Sequence, residues 1–300
     1  MKFAVMGAGA VGCYFGALLA RAGHSVRLIG RPSHVDAINQ KGLRFESATF
    51  TGDVMVEATT ASNGVEGADT VLFCVKSADT ETAGRTMAPF LKPTATVLSL
   101  QNGVDNAERL QAVLPQTVIP AVVYVATEMA GVGHVKHHGR GELIIGLSAA
   151  SRRIAETLNV AGIPTTASEQ VLSALWVKLI ANCSYNALSA VSQLPYGKLV
   201  AVDGTREVIR NIVNECVSVA NAEGISIPND IYDKTMTIAA DMPHQYSSTA
   251  QDIVRGKPTE IDYLNGFIVG KGAQRAIPTP LNQLLLTMVK LKEATRQSEC

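Results

Sequence analysis

In the first half of the chain, short apolar runs alternate with stretches whose apolar residues recur at helical spacing. The runs at 2–6, 25–29, 70–75, 96–100 and 117–124 read as buried strands, and 10–22, 33–41, 80–91 and 105–114 between them as helices. Strands that stay apolar on both faces, each followed by a helix, predict a mostly parallel sheet covered on both sides. The rhythm breaks at 131–146, where 134–137 and 142–145 read as two short antiparallel strands around Gly139-Arg140-Gly141. A helix at 151–160 and a strand at 163–167 close this half. Beyond it the strand signals stop. Helical patterns follow at 169–188, 204–223, 228–240, 260–276 and 279–294, punctuated by Gly224, Pro228, Pro243, Pro258, Pro278 and Pro280. The expected fold class is therefore α/β: a Rossmann-like, doubly wound, mostly parallel sheet over 1–167, followed by an all-helical domain over 168–300. A ligand cleft is expected between the two.

The helix at 169–188 carries an unusual pattern. Lys178, Asn182 and Asn186 stand four residues apart in a segment that is otherwise almost wholly apolar. Steps of four drift by only about 40° around a helix, so the three side chains form one stripe. Leu172, Leu175, Val177, Leu179 and Ile180 flank it. A helix apolar nearly all round is buried, and its polar stripe must face a ligand or a structural hydrogen-bond network. The stripe alone does not separate these two readings.

Composition narrows the setting. The chain has 300 residues, 47% of them hydrophobic, with 26 basic and 26 acidic side chains. Zero net charge argues against a broad nucleic-acid or anionic-membrane footprint. No apolar run approaches the roughly 18 residues of a spanning helix, and no leader pattern precedes the first strand, so a spanning helix is not expected. The five cysteines, Cys13, Cys74, Cys183, Cys216 and Cys300, are scattered, odd in number and lack ligand spacing, which predicts a protein of the reducing cytoplasm with no structural zinc and no metal. His137 and His138 are neighbours on a strand, so their rings point to opposite faces and do not suggest a metal site.

Gly7-Ala8-Gly9-Ala10-Val11-Gly12 follows the first strand and opens the first helix. Glycines here permit a tight turn, close approach of backbone to a pyrophosphate, and close helix–strand packing. With strand before and helix after, the string is a strong dinucleotide signal. An NAD-type fold places an acid at the end of the second strand. This chain has Gly30-Arg31 there and no acid until Asp36, which predicts NADPH, with an exposed loop charge as the alternative for Arg31. Lys76 and Asn102 lie just past the ends of two further parallel strands. Polar residues are common at strand ends, but together beside the glycine loop these two point to ligand binding. In the helical half, Tyr246–Asp252 and Lys257–Gly266 concentrate polar groups. Ser247 or Ser248 can cap a helix there, and capping is also the plain account of Thr259, Glu260 and Asp262.

Taken together, these motifs resemble the ketopantoate reductase family. The likeness rests on the glycine loop, Val75-Lys76-Ser77, Gln101-Asn102-Gly103, the helix Trp176-x-Lys178-Leu179-x-x-Asn182-x-x-x-Asn186, Ser247-Ser248-x-x-Gln251-Asp252 and Thr259-Glu260-Ile261-Asp262-Tyr263-x-Asn265-Gly266. Pro278-Thr279-Pro280 before the last helix also fits. The resemblance implies NADPH-dependent reduction of 2-dehydropantoate to (R)-pantoate, with Lys178 as the general acid at the C2 oxygen. It implies that Glu260 supports the site electrostatically and contacts the nicotinamide ribose or substrate. Asn102, Asn182, Asn186 and Ser248 would hold the substrate, while Lys76, Ala126 and again Asn102 would lie along the cofactor.

Apolar neighbours would lower the Lys178 pKa, and a nearby Glu would restore part of it. Departures from the family pattern stand at Ala187, Tyr196, Lys257 and Thr249, of which Tyr196 and Thr249 bear on pocket shape. A paralogue acting on another branched 2-oxo acid, and a non-catalytic NADP(H) sensor, are the alternatives. A homodimer is a further expectation.

Overall fold

The computed structural model describes residues 1–297 and divides the chain into two compact units, Met1–Leu172 and Ser173–Cys300. Cys300 lies outside the described residues.

The first unit alternates β1 (Lys2–Met6), α1 (Ala10–Arg21), β2 (Ser25–Ile29), α2 (Pro32–Lys41), β3 (Leu43–Glu46), β4 (Thr51–Val54), β5 (Glu57–Thr59) and β6 (Thr70–Phe73). It continues through α3 (Thr80–Met87), β7 (Thr96–Ser99), α4 (Asn106–Gln111), β8 (Thr117–Gly131), β9 (His134–Ile145), α5 (Ser151–Val160) and β10 (Thr165–Ala167). Among the described residues ten strands form one sheet, ordered β4-β3-β9-β8-β7-β6-β1-β2-β5, with β10 along β9. The run β5-β2-β1-β6-β7-β8 is parallel throughout. Numbered by their place in this array, these strands follow the 3-2-1-4-5-6 order of a dinucleotide fold, whose chain reversal falls between β1 and β6.

Period-two alternation explains how both faces are covered. On β1, Phe3 and Val5 pack with Phe15 and Leu19 of α1 and with Ile154 and Leu158 of α5. Ala4 and Met6 point the other way, into a cluster with Val71, Phe73 and Val97 from the sheet and Met87 and Leu110 from α3 and α4. Each fully buried aliphatic or aromatic side chain of this kind contributes about 1.5–3 kcal/mol.

Three departures from the sequence reading have local causes. The helix read at 80–91 stops at Met87 and tightens into a 3-10 turn over Ala88–Phe90, because Pro89 cannot continue the hydrogen-bond ladder. The two short strands read around Gly139-Arg140-Gly141 are one continuous strand, β9, paired antiparallel with β8. The chain reverses at Val132-Gly133, and the glycine-rich tripeptide forms bulges, with φ of 150°, 63° and 146° at residues 139–141. The short segments β4 and β5 gave no clear strand signal because they are brief and mostly polar, and β3, with buried Leu43 and Phe45, is only four residues long.

The second unit is helical: α6 (Val171–Ser192, which starts just before the division), α7 (Tyr196–Val200), α8 (Thr205–Ala222), α9 (Ile231–Asp241), α10 (Ser248–Val254), α11 (Asn265–Gln274) and α12 (Pro280–Gln297). Buried Leu175, Trp176, Leu179, Ile180 and Cys183 of α6 belong to its core, as do Ile212, Cys216 and Val219 of α8. Leu172, expected to flank the stripe under cover, is 48% exposed in the first turn. A single helix was expected over 260–276. Instead, a 3-10 turn at Ile261–Tyr263 is followed by a break at Leu264 (φ −113°, ψ −100°), after which α11 begins.

Candidate functional site

The glycine loop divides its duties among its three glycines. Gly7 has φ +107°, and a Cβ there would lie 2.7 Å from the Cys74 carbonyl carbon at the end of β6. A Cβ on Gly12 would meet Val5 Cγ1 at 2.7 Å and press on the Gly7 carbonyl oxygen, so only glycine lets α1 sit this close to β1. Gly9 is different: a Cβ there meets nothing within 4 Å. Gly9 immediately precedes α1, whose first turn has no acidic residue and whose first N–H groups lack helical acceptors. The amides of Gly7 and Ala8 are tied to the Ile29 carbonyl of β2 at 3.0 and 2.8 Å, which fixes the loop against the sheet. An open, donor-lined cradle at the reversal point of the sheet suits a dinucleotide pyrophosphate.

At the end of β2, Arg31 is exposed and caps α2 through extended backbone, with Pro32 at the first helical position. A Cβ on Gly30 would lie 2.6 Å from the Ala8 Cβ, so the acid of an NAD-type fold has no room there. Lys76 is exposed at the start of the 3-10 turn Ser77–Asp79, and Asn102 is half-buried past the end of β7. Because β6 and β7 are sheet neighbours, the loops carrying these two residues are adjacent. Ser77 Oγ donates to the Asn102 carbonyl at 3.1 Å, and Gln101 Nε2 donates to the Val75 carbonyl at 3.2 Å. Ala126 lies on β8 opposite Gly139, between the two bulges of β9. The Gly141 bulge presses close to α1: a Cβ on Gly141 would lie 2.5 Å from the Tyr14 hydroxyl. His137 stacks on Tyr14 with ring centroids 4.4 Å apart, and its neighbour His138 instead lies 3.1 Å from Glu128.

In the second unit, Lys178 and Asn182 are half-buried and Asn186 is 3% exposed, so burial deepens along the stripe. The start of α10 is fastened beside the last of them. Ser247 caps that helix by accepting from the Ala250 amide at 3.0 Å, and its hydroxyl donates to the Asn186 carbonyl at 3.2 Å. Ser248, next along the chain, is exposed. Glu260 is half-buried at the start of the 3-10 turn before α11, and its side chain makes no capping bond to that turn.

Segment 259–266 is anchored at both ends. Glu293 Oε1 accepts from the Thr259 amide at 2.8 Å, and Asn265 Nδ2 donates to the Cys183 carbonyl of α6 at 3.2 Å. Behind Asn265, Asn282 accepts its other N–H at 2.9 Å and donates to Glu215 at 2.7 Å. Trp176 meets Phe267 edge-on at 5.7 Å, a second bond between α6 and α11. Tyr196, one of the departures, is buried against Tyr185 at 4.7 Å, and burial holds its hydroxyl pKa well above the ordinary value. Thr249 is 2% exposed.

Sequence reasoning did not find the supporting groups: Thr80, Asn106 and Arg109 in the first unit, and Glu215, Asn282 and Glu293 in the second. Each joins residues far apart in the chain, and no local pattern marks such a bond. Cys13, Cys183 and Cys216 are buried free thiols and Cys74 is a half-buried one. Among the described residues no helix is long and apolar enough to cross a membrane.

This architecture defines a dinucleotide-binding oxidoreductase with a separate helical unit. Its first unit matches the family described as ketopantoate reductase PanE/ApbA over residues 3–150, and its second matches the C-terminal part of the same family over 170–293. The chain therefore belongs to the ketopantoate reductase family, whose members work with a nicotinamide cofactor. It is 33% identical to a 2-dehydropantoate 2-reductase of Pyrococcus horikoshii over 299 residues, covering 98% of each chain. A PanE/ApbA family ketopantoate reductase from Ralstonia eutropha JMP134 has a crystal structure similar to this one at TM-score 0.97. That chain is 54% identical, with 99% of this chain and 100% of that one covered. A D-mandelate dehydrogenase in ternary complex with NADH and anilino(oxo)acetate is similar at TM-score 0.93 and 26% identity, covering 98% and 99%.

Proposed function

We propose that this protein reduces 2-dehydropantoate to (R)-pantoate with NADPH, a step toward pantothenate and coenzyme A. The observation that carries the proposal is the stripe on α6. In a chain whose two units both match the family, helical spacing puts Lys178, Asn182 and Asn186 on one face, with burial rising from the ammonium to the last carboxamide. Ketone reduction needs a hydride at carbon, and a proton and positive charge at the oxygen that becomes an alkoxide. A bound nicotinamide dinucleotide supplies the hydride. Lys178 Nζ, charged until transfer, stabilises the C2 oxygen as negative charge develops and gives it the proton, and the neutral amine left behind is reprotonated from solvent. Asn182, Asn186, Ser248 and Asn102 orient the substrate's carboxylate and hydroxyl, and Glu260 offsets the Lys178 charge between turnovers.

NADPH is favoured over NADH by Arg31, a cation suited to a 2′-phosphate, and by the Gly30–Ala8 contact that excludes an acid. Lys76, Ala126 and Asn102, the last of them shared with the substrate, complete the proposed cofactor contacts. One observation favours a second reading. The likeness to the D-mandelate dehydrogenase complex, with Tyr196 and Thr249 replacing the usual family residues, fits a reductase of a bulkier 2-oxo acid. NADPH and NADH oxidation assayed with 2-dehydropantoate and a panel of branched and aryl 2-oxo acids separates the two. Highest kcat/KM for 2-dehydropantoate with NADPH supports the proposal, and preference for an aryl 2-oxo acid overturns it.

We place the enzyme in the cytoplasm and extend the proposal to a homodimer. The dimer is supported by Leu284, Met288 and Leu291, exposed at helical spacing on α12. Sedimentation as a 31.7 kDa monomer would refute it.

A further inference from the structure

The loops that carry Lys76 and Asn102 are joined by a buried side chain with no role assigned so far. Asn106, at the start of α4, is 3% exposed and uses all of its hydrogen-bonding capacity. Its Nδ2 donates to the Asn102 carbonyl at 2.5 Å and to Ser77 Oγ at 3.2 Å. Its Oδ1 lies 3.0 Å from the Thr80 hydroxyl and accepts from Arg109 Nη1 at 3.3 Å. The partners dictate the orientation of the carboxamide. A backbone carbonyl only accepts and a guanidinium only donates, so a flipped amide would set acceptor against acceptor and donor against donor.

The bonds around Asn106 hold the backbone on both sides of Lys76. The Val75 carbonyl accepts from Gln101 Nε2, and the Ser77 carbonyl accepts from Arg109 Nη2 at 3.0 Å. Arg109 is itself fixed by a two-pronged pair with Glu81, at 2.7 Å on each oxygen. Gln101 Nε2 also donates to Thr80 Oγ1 at 2.8 Å, which closes the ring of contacts. A fully satisfied buried network of this kind has one low-energy arrangement, because any shift leaves a buried polar group unpaired.

We propose that Asn106 is a positioning residue for cofactor binding. It locks the Lys76 loop to the Asn102 loop, and so sets the place of both side chains without touching the ligand itself. The inference rests on the reading of Lys76 and Asn102 as cofactor-binding residues.

The test is a double-mutant cycle read by calorimetric titration with NADPH, using Asn106→Leu on the wild-type chain and on a Lys76→Ala/Asn102→Ala background. Binding stoichiometry counts folded sites, so misfolding lowers the number of sites and mispositioning raises Kd. The expected result is that Asn106→Leu weakens NADPH binding about tenfold on the wild-type chain, at unchanged stoichiometry. On the background that lacks both contacts its effect shrinks below about twofold, because nothing is left to position. If Asn106→Leu does not fold, Thr80→Val keeps the volume, removes the hydroxyl that bridges Gln101 and Asn106, and is read in the same way. A wild-type Kd for the variant, or the same loss on both backgrounds, overturns the inference while the cofactor reading stands. A Lys76→Ala/Asn102→Ala chain that binds NADPH like wild type overturns the cofactor reading, and the inference with it.

Discussion

Gly9→Ala and Gly12→Ala, two substitutions in one six-residue loop, should fail in opposite ways. At Gly9 the backbone is extended (φ −88°, ψ −167°), a conformation alanine adopts freely, and the added methyl meets no atom within 4 Å. Alanine is a poorer helix cap than glycine by up to about 1 kcal/mol. It also restricts the unfolded chain, a gain of about 0.4–1 kcal/mol. The two terms nearly cancel, so the melting temperature without cofactor should stay within a few degrees of wild type. The methyl would, however, occupy the space through which a pyrophosphate approaches the α1 amides. At 100 times Kd, NADPH stabilises the wild-type chain by about 2.7 kcal/mol, and Gly9→Ala should lose most of that shift. At Gly12 the new Cβ would lie 2.7 Å from Val5 Cγ1 and press on the Gly7 carbonyl, so α1 must move off the sheet. Overpacking of this kind costs about 1–3 kcal/mol, and the loss should appear with or without cofactor. Thermal melts of both variants, with and without NADPH, make the comparison. If Gly9→Ala keeps the full NADPH-induced shift, the open face of the loop is not the pyrophosphate site.

Arg31→Ala should raise the NADPH Kd by about tenfold to a hundredfold, the worth of one charged hydrogen bond, and leave NADH affinity nearly unchanged. Parallel titrations with the two cofactors check this, and equal losses for both would refute a 2′-phosphate contact. Asp105 Oδ1 is buried without a hydrogen-bond partner, and burial raises the Asp105 pKa, outweighing Arg109 4.0 Å away. A carboxyl whose folded pKa is raised favours the fold at acid pH and loses that contribution as pH rises through the folded pKa. Asp105→Asn should therefore be more stable than wild type at neutral pH, with the advantage fading as pH falls through the raised folded pKa and gone once pH is below the ordinary carboxylate range. Urea melts across pH read this directly, and a variant less stable at neutral pH contradicts it. Asn265→Ala removes the donor to the Cys183 carbonyl and leaves the Asn282 oxygen only the weak Cys216 thiol donor at 3.9 Å, at a cost of about 1–3 kcal/mol. A melt indistinguishable from wild type would show that the α6–α11 junction does not depend on this bond.

Features written in local pattern were legible before the structure, and those made by distant residues were not. The glycine loop carries its own explanation, because strand, turn and helix are consecutive in the chain. The Lys178–Asn182–Asn186 stripe was visible because a polar residue every fourth position stands out against an apolar helix. Gly139-Arg140-Gly141 misled, because glycines on both sides of a residue suit a hairpin turn and a bulged strand equally well. The strands β4 and β5 are short and polar and gain their structure from pairing, with β3 and β2 respectively. The bonds that hold the candidate site are the least legible. Asn106 reaches Ser77 across 29 residues, and Asn265 reaches Cys183 across 82. Such contacts depend on the order of strands in the sheet and the packing of helices, which no sequence window contains.

The most direct test of the central claim compares the wild-type chain with Lys178→Ala in two assays on the same preparations: NADPH oxidation on addition of 2-dehydropantoate, and NADPH binding without it. The account predicts rapid oxidation by the wild-type chain, a fall in kcat of about 10²–10⁴-fold in the variant, and an NADPH Kd unchanged within about twofold. Near-normal turnover by Lys178→Ala, with its cofactor affinity intact, would contradict the assignment of Lys178 as the proton donor.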